Sequence, residues 1–216
     1  MRKPRPPRSF WFAYLVRATV GRVLPAIFRL RLMGAENLPD GGVVLAGIHV
    51  SYADPCLLWC VSPRPTHFMA KIELWDVGIL GWGLDHFWAF PVDRDAVDRD
   101  ALRLAGSFLR AGETVGVFPE GRRRSGGLGE GQGGAAFLAF HNHVPVVPVG
   151  IAGTDLILPK GRRVPRLPRI VISIGRPIDP ATYAQKSQRE RVDAMTQDIM
   201  SAIADELEVA RSRRQG

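Results

Sequence analysis

The sequence is poor in cysteine and lacks the signature of a serine hydrolase. Its 216 residues include two cysteines, Cys56 and Cys60, spaced as on one face of a helix. That spacing is poor for a disulfide, and two thiols without a matching second pair do not make a zinc site. No GxSxG sequence occurs, so no strained turn presenting a nucleophilic serine is predicted. We interpret both cysteines as buried thiols in a reducing cytoplasm.

Acidic side chains are missing from the first 31 residues. This segment holds eight of the 29 Lys and Arg residues and none of the 21 Asp and Glu residues. The formal net charge of +8 is therefore confined to it, and the rest of the chain is neutral. A nucleic-acid-binding domain usually spreads basic side chains over a folded surface with aromatics among them. The distribution argues against nucleic acid as a partner and favours an anionic membrane surface.

Long uninterrupted apolar runs are also lacking. Residues 10–28, FWFAYLVRATVGRVLPAIF, are largely apolar, but Arg17, Arg22 and Pro25 interrupt them. A membrane span needs about 20 consecutive apolar residues, and no small-residue cleavage site of a signal peptide follows. We predict that residues 1–27 form a basic tail and an interfacial amphipathic helix on the membrane surface. The alternative is an ordinary first helix packed on the domain.

The remaining chain, residues 28–216, is predicted to be a single α/β domain. Hydrophobic residues make up 46% and charged residues 23% of the protein, as in folded globular proteins, and the length suits one domain. Strand patterns alternate with helix patterns, which predicts a mixed sheet covered by helices. The predicted strands include residues 43–48, 66–71, 114–119, 144–149 and 170–178, and the predicted helices include residues 54–61 and a closing helix over 192–207.

A histidine and an aspartate flank the predicted turn between the first buried strand and its helix. They are His49 and Asp54, in the sequence IHVSYADP. A histidine side chain can accept a proton near neutral pH, and a nearby carboxylate can fix its tautomer and stabilise the imidazolium. Because no serine nucleophile is predicted, we infer that the hydroxyl activated by this pair belongs to the substrate.

Four sequence motifs occur in order along the chain, and the pair of His49 and Asp54 belongs to the first of them. The first is His49, Ser51 and Asp54, and the second is PVDR with Arg94. The third is Phe118, Pro119, Glu120, Gly121 and Arg123, and the fourth is VPVVPV at residues 144–149. Over roughly residues 28–180 the sequence resembles the glycerolipid acyltransferases typified by 1-acylglycerol-3-phosphate (lysophosphatidate) acyltransferase. It departs from their pattern at Ile48, where asparagine is usual, and at Gln132 or Gly133, where lysine is common.

The resemblance implies roles for residues of the first three motifs. His49 would be the general base and Asp54 the residue that orients it. Arg94 and Arg123 would bind the phosphate of the acceptor, because a guanidinium matches phosphate with a planar fork of donors.

Two further motif residues are predicted to line the substrate site. Glu120 would bind an acceptor hydroxyl or pair with an arginine, and Gly121 would let the backbone approach a ligand closely. A thioester donor is already activated, so we expect no metal and no cofactor.

The predicted function is transfer of a fatty acyl group from acyl-CoA or acyl carrier protein to the 2-hydroxyl of lysophosphatidate. The predicted location is the cytoplasmic face of the cell membrane, with peripheral attachment. Three alternatives stay open from sequence: a different lysophospholipid or glycolipid acceptor, hydrolysis of a lipid ester by water that His49 activates, and a non-catalytic lipid-binding protein.

Overall fold

The computed structural model describes residues 10–93, 98–121, 129–159, 161 and 164–215, and for residues 10–17 and residue 79 it describes the backbone. Within these residues, the α-helices are α1 (Phe10–Ile27), α2 (Asp54–Val61), α3 (Gly78–His86), α4 (Arg99–Arg110), α5 (Gly134–Asn142) and α6 (Gln188–Gln215). The strands are β1 (Arg31–Met33), β2 (Val43–Gly47), β3 (Thr66–Lys71), β4 (Ala89–Val92), β5 (Thr114–Val117), β6 (Val146–Ala152) and β7 (Val171–Ile174).

The seven described strands form one sheet in the order β1-β7-β6-β2-β5-β3-β4. Strands β6, β2, β5, β3 and β4 are mutually parallel, whereas β7 is antiparallel to β6 and parallel to β1. The sheet is therefore mixed. Its central strands β2 and β6 are buried along their whole length, as expected for a sheet covered on both faces. The predicted fold class, a mixed sheet covered by helices, is confirmed.

Helices lie on both faces of the sheet. The crossover through α2 runs from β2 towards β3, and the crossover through α5 runs in the opposite direction, from β5 to β6. Because crossovers between parallel strands are right-handed, α2 and α5 lie on opposite faces. Helix α1 packs against α2 on one face, and α4, α5 and α6 pack side by side on the other.

Several predicted elements match the structure closely, and others are shorter. The predictions of a helix over residues 54–61 and a strand over 66–71 agree residue by residue. The strand predicted over 170–178 ends at Ile174, and residue 178 forms an isolated bridge to Val146. The apolar stretch before residue 91, which sequence patterns left unassigned, divides into α3 and β4.

The second half of α1 packs on the domain with one face. Val20 and Leu24 contact the hydrophobic core, and Gly21 approaches the Cys60 carbonyl. Val23 and Ile27, which border this face at helical spacing, are 46% and 43% exposed. In the described part of the chain, no helix combines the length and hydrophobicity needed to cross a membrane. The contacts of Val20 and Leu24 are those of a helix packed on the domain, and an interfacial position of α1 on a membrane stays a prediction.

A glycine allows α6 to lie directly on β6. A Cβ atom at Gly150 would stand 2.2 Å from the carbonyl carbon of Glu206 and 2.3 Å from the Leu207 nitrogen. Backbone atoms cannot move aside as a flexible side chain can. The contact fixes the distance between α6 and the sheet, and Ile203 and Leu207 of α6 are buried beneath it.

We predict that Gly150→Ala destabilises the protein by about 2 kcal/mol or more, because the added methyl group must push α6 away from β6. Urea unfolding of the variant and the wild type measures the difference. Gly134→Ala is the matched control, since a Cβ atom there meets no atom within 4 Å. Equal stability of the wild type and Gly150→Ala would mean that α6 does not pack this closely.

Candidate active site

The candidate site lies where β2 and β5 end side by side. Ala46 of β2 is in register with Val117 of β5, and these strands are parallel. His49 and Glu120 each follow three residues after that registered pair, so they leave the same edge of the sheet together. We call this edge, where β2, β5, β3 and β4 reach their carboxyl ends, the site edge. Parallel pairing thus joins two motifs that are 71 residues apart in the chain.

Asp54 holds the turn that carries His49. Its Oδ2 accepts hydrogen bonds from the backbone N–H groups of Val50 at 2.8 Å and Ser51 at 2.7 Å, and it lies 3.1 Å from Nδ1 of His49. Asp54 is fully buried at the first turn of α2, where the helix dipole favours a negative charge. With Nδ1–H donating to this oxygen, Nε2 is the ring nitrogen left to accept a proton.

Two residues of the third motif also contact His49, one at its ring and one at its backbone. The ring of Phe118 stacks on the imidazole with centroids 4.2 Å apart and planes inclined by 20°. Oε2 of Glu120 accepts the backbone N–H of His49 at 3.3 Å. The His49 side chain is 15% exposed, so the imidazole is held on several sides but still reaches the surface. A stacking role for Phe118 was not predicted from the sequence.

Glu120 bridges two pieces of backbone. Its Oε1 accepts the Gly129 N–H at 2.6 Å while Oε2 accepts the His49 N–H, and the residue is 5% exposed. The carboxylate therefore connects the end of β2 with the loop after β5. This observation adds a positioning role to the predicted contacts with an acceptor hydroxyl or an arginine, which stay predictions.

Gly121 adopts a left-handed conformation in this loop. Its φ is +69°, and its N–H donates to the Phe118 carbonyl at 3.0 Å, which makes a tight turn. A Cβ atom there would lie 2.9 Å from the side-chain amide of Gln132. Glycine is thus required by the turn itself, and close approach to a ligand stays a prediction.

The two predicted phosphate ligands, Arg94 and Arg123, lie outside the described residues. The described chain contributes a different cation to the same edge. Lys71 closes β3, which is paired with β5, and its Nζ lies 2.8 Å from Oε1 of Glu73. Its position at the end of a predicted strand is visible in the sequence, but the sequence analysis assigns no role to Lys71.

Two departures from the acyltransferase pattern have structural explanations. Ile48 is 1% exposed and belongs to the hydrophobic core, so its side chain does not brace the turn. The turn is instead held by the carboxylates of Asp54 and Glu120. Gln132 is held by its backbone N–H, which donates to the Pro119 carbonyl at 2.8 Å, and its side chain is exposed.

Other reactive groups are less suited to acyl transfer. Burial and the neighbouring Asp54 raise the pKa of Cys56 to about 11, so its thiol is a poor nucleophile. Cys56 and Cys60 are partly buried thiols. No cluster of metal-ligating side chains occurs in the described ranges.

A second histidine–carboxylate pair lies at the opposite edge of the sheet. Nε2 of His67 is 2.7 Å from Oε2 of Glu113, and the His67 ring stacks on Phe108 with centroids 3.6 Å apart. Burial lowers the pKa of His67, and the Glu113 carboxylate opposes that shift. His67 stands at the start of β3 and Glu113 directly precedes β5, so this pair is remote from the site edge.

The sequence is similar to a known protein family. A family model described as "Acyltransferase" matches residues 29–152, more than half of the chain. The chain belongs to the acyltransferase family. It is therefore an enzyme that transfers acyl groups, and the resemblance drawn from the four motifs is confirmed.

Individual relatives support the same assignment. The chain is 31% identical over 178 residues to the 1-acyl-sn-glycerol-3-phosphate acyltransferase of Bacillus subtilis, covering 82% of this chain and 87% of that protein. It is 30% identical over 142 residues to the enzyme of that name from Streptococcus pneumoniae, covering 65% and 51%. The crystal structure of the 1-acyl-sn-glycerophosphate (LPA) acyltransferase PlsC from Thermotoga maritima matches with a TM-score of 0.67 and 26% identity, over 93% of this chain and 84% of that one.

We predict that Glu120→Gln lowers both stability and turnover. The amide nitrogen cannot accept a hydrogen bond, so one of the two backbone N–H groups loses its partner, at a cost of about 1–3 kcal/mol. Urea unfolding and steady-state kinetics measure the two effects. Glu130→Gln, an exposed substitution in the same loop, is the matched control. Unchanged stability in Glu120→Gln would contradict the bridging role.

Proposed function

We propose that the protein transfers a fatty acyl group from a thioester donor to the 2-hydroxyl of lysophosphatidate, producing phosphatidate. The donor is acyl-CoA or acyl carrier protein. The relatives named above supply the acceptor, and the observation that carries the reaction type is the oriented pair of His49 and Asp54. This pair lies beside a loop that the motif pattern associates with the acceptor phosphate.

The reaction follows from the chemistry of this pair. Nε2 of His49 removes the proton of the acceptor hydroxyl as its oxygen attacks the thioester carbonyl carbon, forming a tetrahedral intermediate. The intermediate collapses with cleavage of the carbon–sulfur bond, and the imidazolium returns the proton to the departing thiolate. Asp54 stabilises the imidazolium between these steps. Because the acceptor itself is the nucleophile, no acyl-enzyme is required.

Cations at the site edge would hold the acceptor in line for attack. We assign the acceptor phosphate to Arg94 and Arg123 on the basis of the motif pattern. Lys71 ends the strand between β5 and β4, and β4 leads directly to Arg94. An anionic head group bound by these side chains would place its hydroxyl against His49 and would exclude water from the attacking position.

The exposed face of α1 would attach the protein to the membrane. Val23 and Ile27 would insert among the lipids, and the basic residues of the N-terminal segment would bind anionic head groups at about 1 kcal/mol each. Attachment of this kind would spare the enzyme from extracting an amphiphilic acceptor into water. It would be peripheral, on the cytoplasmic face.

We predict that His49→Ala abolishes thiol release from a long-chain acyl-CoA in the presence of lysophosphatidate. The expected loss of kcat is about 10²-fold or more, because the base is removed. The matched control is His86→Ala, which removes a histidine from the far end of α3. A colorimetric thiol assay with and without lysophosphatidate measures the reaction.

Each result of this assay has a distinct meaning. Release that needs the acceptor and disappears in His49→Ala supports transfer with His49 as base. Acceptor-independent release in the wild type would indicate a thioester hydrolase instead. Full activity of His49→Ala would refute the assignment of the base.

We predict that the double variant Val23→Glu/Ile27→Glu binds vesicles at least tenfold more weakly, because two exposed apolar side chains of α1 become anionic. Sedimentation with vesicles of phosphatidylglycerol and phosphatidylcholine measures binding, and turnover on detergent-dispersed substrate should change little. Val209→Glu, at an exposed apolar position of α6, is the control. Wild-type vesicle binding by the double variant would rule out membrane attachment through this face.

A further inference from the structure

A basic groove lies between α4 and α5, outside the site described above. It has a volume of about 330 Å³, and the side chains that line it include Arg99, Arg103, Arg110, His141, Leu102 and Phe137. None of its described lining residues is acidic. We call it the α4–α5 groove. The reaction proposed above does not use it, and the motifs of the sequence do not include it.

The shape of the groove comes from a glycine in α4. A Cβ atom at Gly106 would lie 2.7 Å from Oδ1 of Asn142 and 3.0 Å from Nη1 of Arg110. Those two groups form a hydrogen bond of 2.9 Å between the carboxyl-terminal ends of α4 and α5. Phe137 of α5 remains 40% exposed beside it, stacked on His141 with centroids 5.7 Å apart. The result is an apolar strip bordered by cations.

The cations form a row along the helix axis. Arg99, Arg103 and Arg110 lie on one face of α4 and span about 16 Å at 1.5 Å per residue. Arg103 makes an exposed ion pair with Asp100 at 3.1 Å, which solvent and salt weaken. The phosphates of a nucleotide lie close together, whereas carboxylates on a helix recur at each turn, about every 5 Å. The row therefore matches an acidic helix better than it matches a nucleotide.

The position of the groove connects it to the reaction. Helix α4 follows β4 and α5 follows the loop after β5, so both helices begin at the site edge and run away from it. The end of the groove at Arg99, where α4 begins, therefore lies towards the site edge. The groove is on the face of the sheet opposite α1, so a protein attached to a membrane through α1 would turn it towards the aqueous phase.

We propose that the α4–α5 groove docks an acidic helix of a protein that carries the acyl thioester, so that acyl carrier protein is the donor. This proposal rests on the proposed function and chooses between its two donors. The acidic helix would lie along α4 with its apolar residues against Phe137 and Leu102, which is the helix-in-groove mode of recognition. The flexible arm bearing the thioester would pass over the site edge to His49.

The test compares two donors with the same acyl chain. Steady-state rates with palmitoyl-acyl carrier protein and with palmitoyl-CoA are measured for the wild type and for Arg99→Glu/Arg103→Glu. We expect KM for the carrier-protein donor to rise about tenfold or more, because two attractions become repulsions, while kinetics with palmitoyl-CoA stay within about twofold. Arg211→Glu/Arg213→Glu, with the same charge change at exposed positions of α6, should match the wild type.

A binding measurement gives a readout that is independent of turnover. Fluorescently labelled, unacylated acyl carrier protein should bind the wild type, and its affinity should fall as NaCl screens the ion pairs. Binding to Arg99→Glu/Arg103→Glu should be at least tenfold weaker, and binding to Arg211→Glu/Arg213→Glu should be unchanged.

Three results would overturn the proposal. Equal loss with both donors would assign the groove to coenzyme A or to the integrity of the fold. Unchanged use of palmitoyl-acyl carrier protein by Arg99→Glu/Arg103→Glu would exclude the groove as the docking site. A wild type active with palmitoyl-CoA but inactive with the carrier protein would refute this inference and leave the proposed function standing, whereas inactivity with both donors would count against the proposed function itself.

Discussion

The pairing of β2 with β5 is the constraint on which the site depends. The two strands are adjacent and parallel, so the segments that follow them leave the sheet together, and a register with Ala46 opposite Val117 sets His49 level with Glu120. The hydrogen bond from the His49 backbone to the Glu120 carboxylate then connects the two segments. A shift of either strand by one residue would direct its side chains to the other face and separate the motifs. Burial of β2 on both faces opposes such a shift, because it would bring different side chains into the core.

Two buried carboxylates divide the work of holding His49. Asp54 makes contacts that are local in sequence. One of its oxygens forms hydrogen bonds with the His49 imidazole and with two backbone N–H groups of the same turn. Glu120 acts over a long distance in sequence and joins the turn to the loop that contains the basic motif. This arrangement explains why the turn does not need an asparagine at position 48. The carboxylates of Asp54 and Glu120 accept the backbone N–H groups of the turn, so the Ile48 side chain can lie in the core. It also explains why local sequence could reveal the role of Asp54 but not the bridge made by Glu120.

The sequence was sufficient for the fold class because buried strands and amphipathic helices alternate regularly along it. Helix α2 and strand β3 were predicted to the residue, since Asp-Pro marks the helix start and an apolar run marks the strand. The split of residues 75–92 into α3 and β4 was missed because apolar residues occur throughout and give no clear period. Stacking of Phe118 on His49, the placement of Lys71 and the α4–α5 groove were missed for a different reason. Each of these three features depends on which helices and strands are neighbours in the fold, and the order of strands in a sheet cannot be read from a single sequence.

The two faces of the sheet suit the two substrates of an acyl transfer. In the proposed reaction, one substrate is an amphiphile that resides in a membrane, and the other is a thioester presented from water. Helix α1 exposes apolar side chains on one face, and α4 with α5 exposes arginines around an apolar strip on the other. The site edge is common to both faces, because the parallel strands end there and the helices on both sides are connected through it. If α1 binds the membrane and the groove binds the donor, the acyl chain moves from water to lipid across this edge, and His49 stands where the two routes meet. Membrane attachment and donor choice would then be separable properties, each changed by substitutions on its own face without disturbing the base.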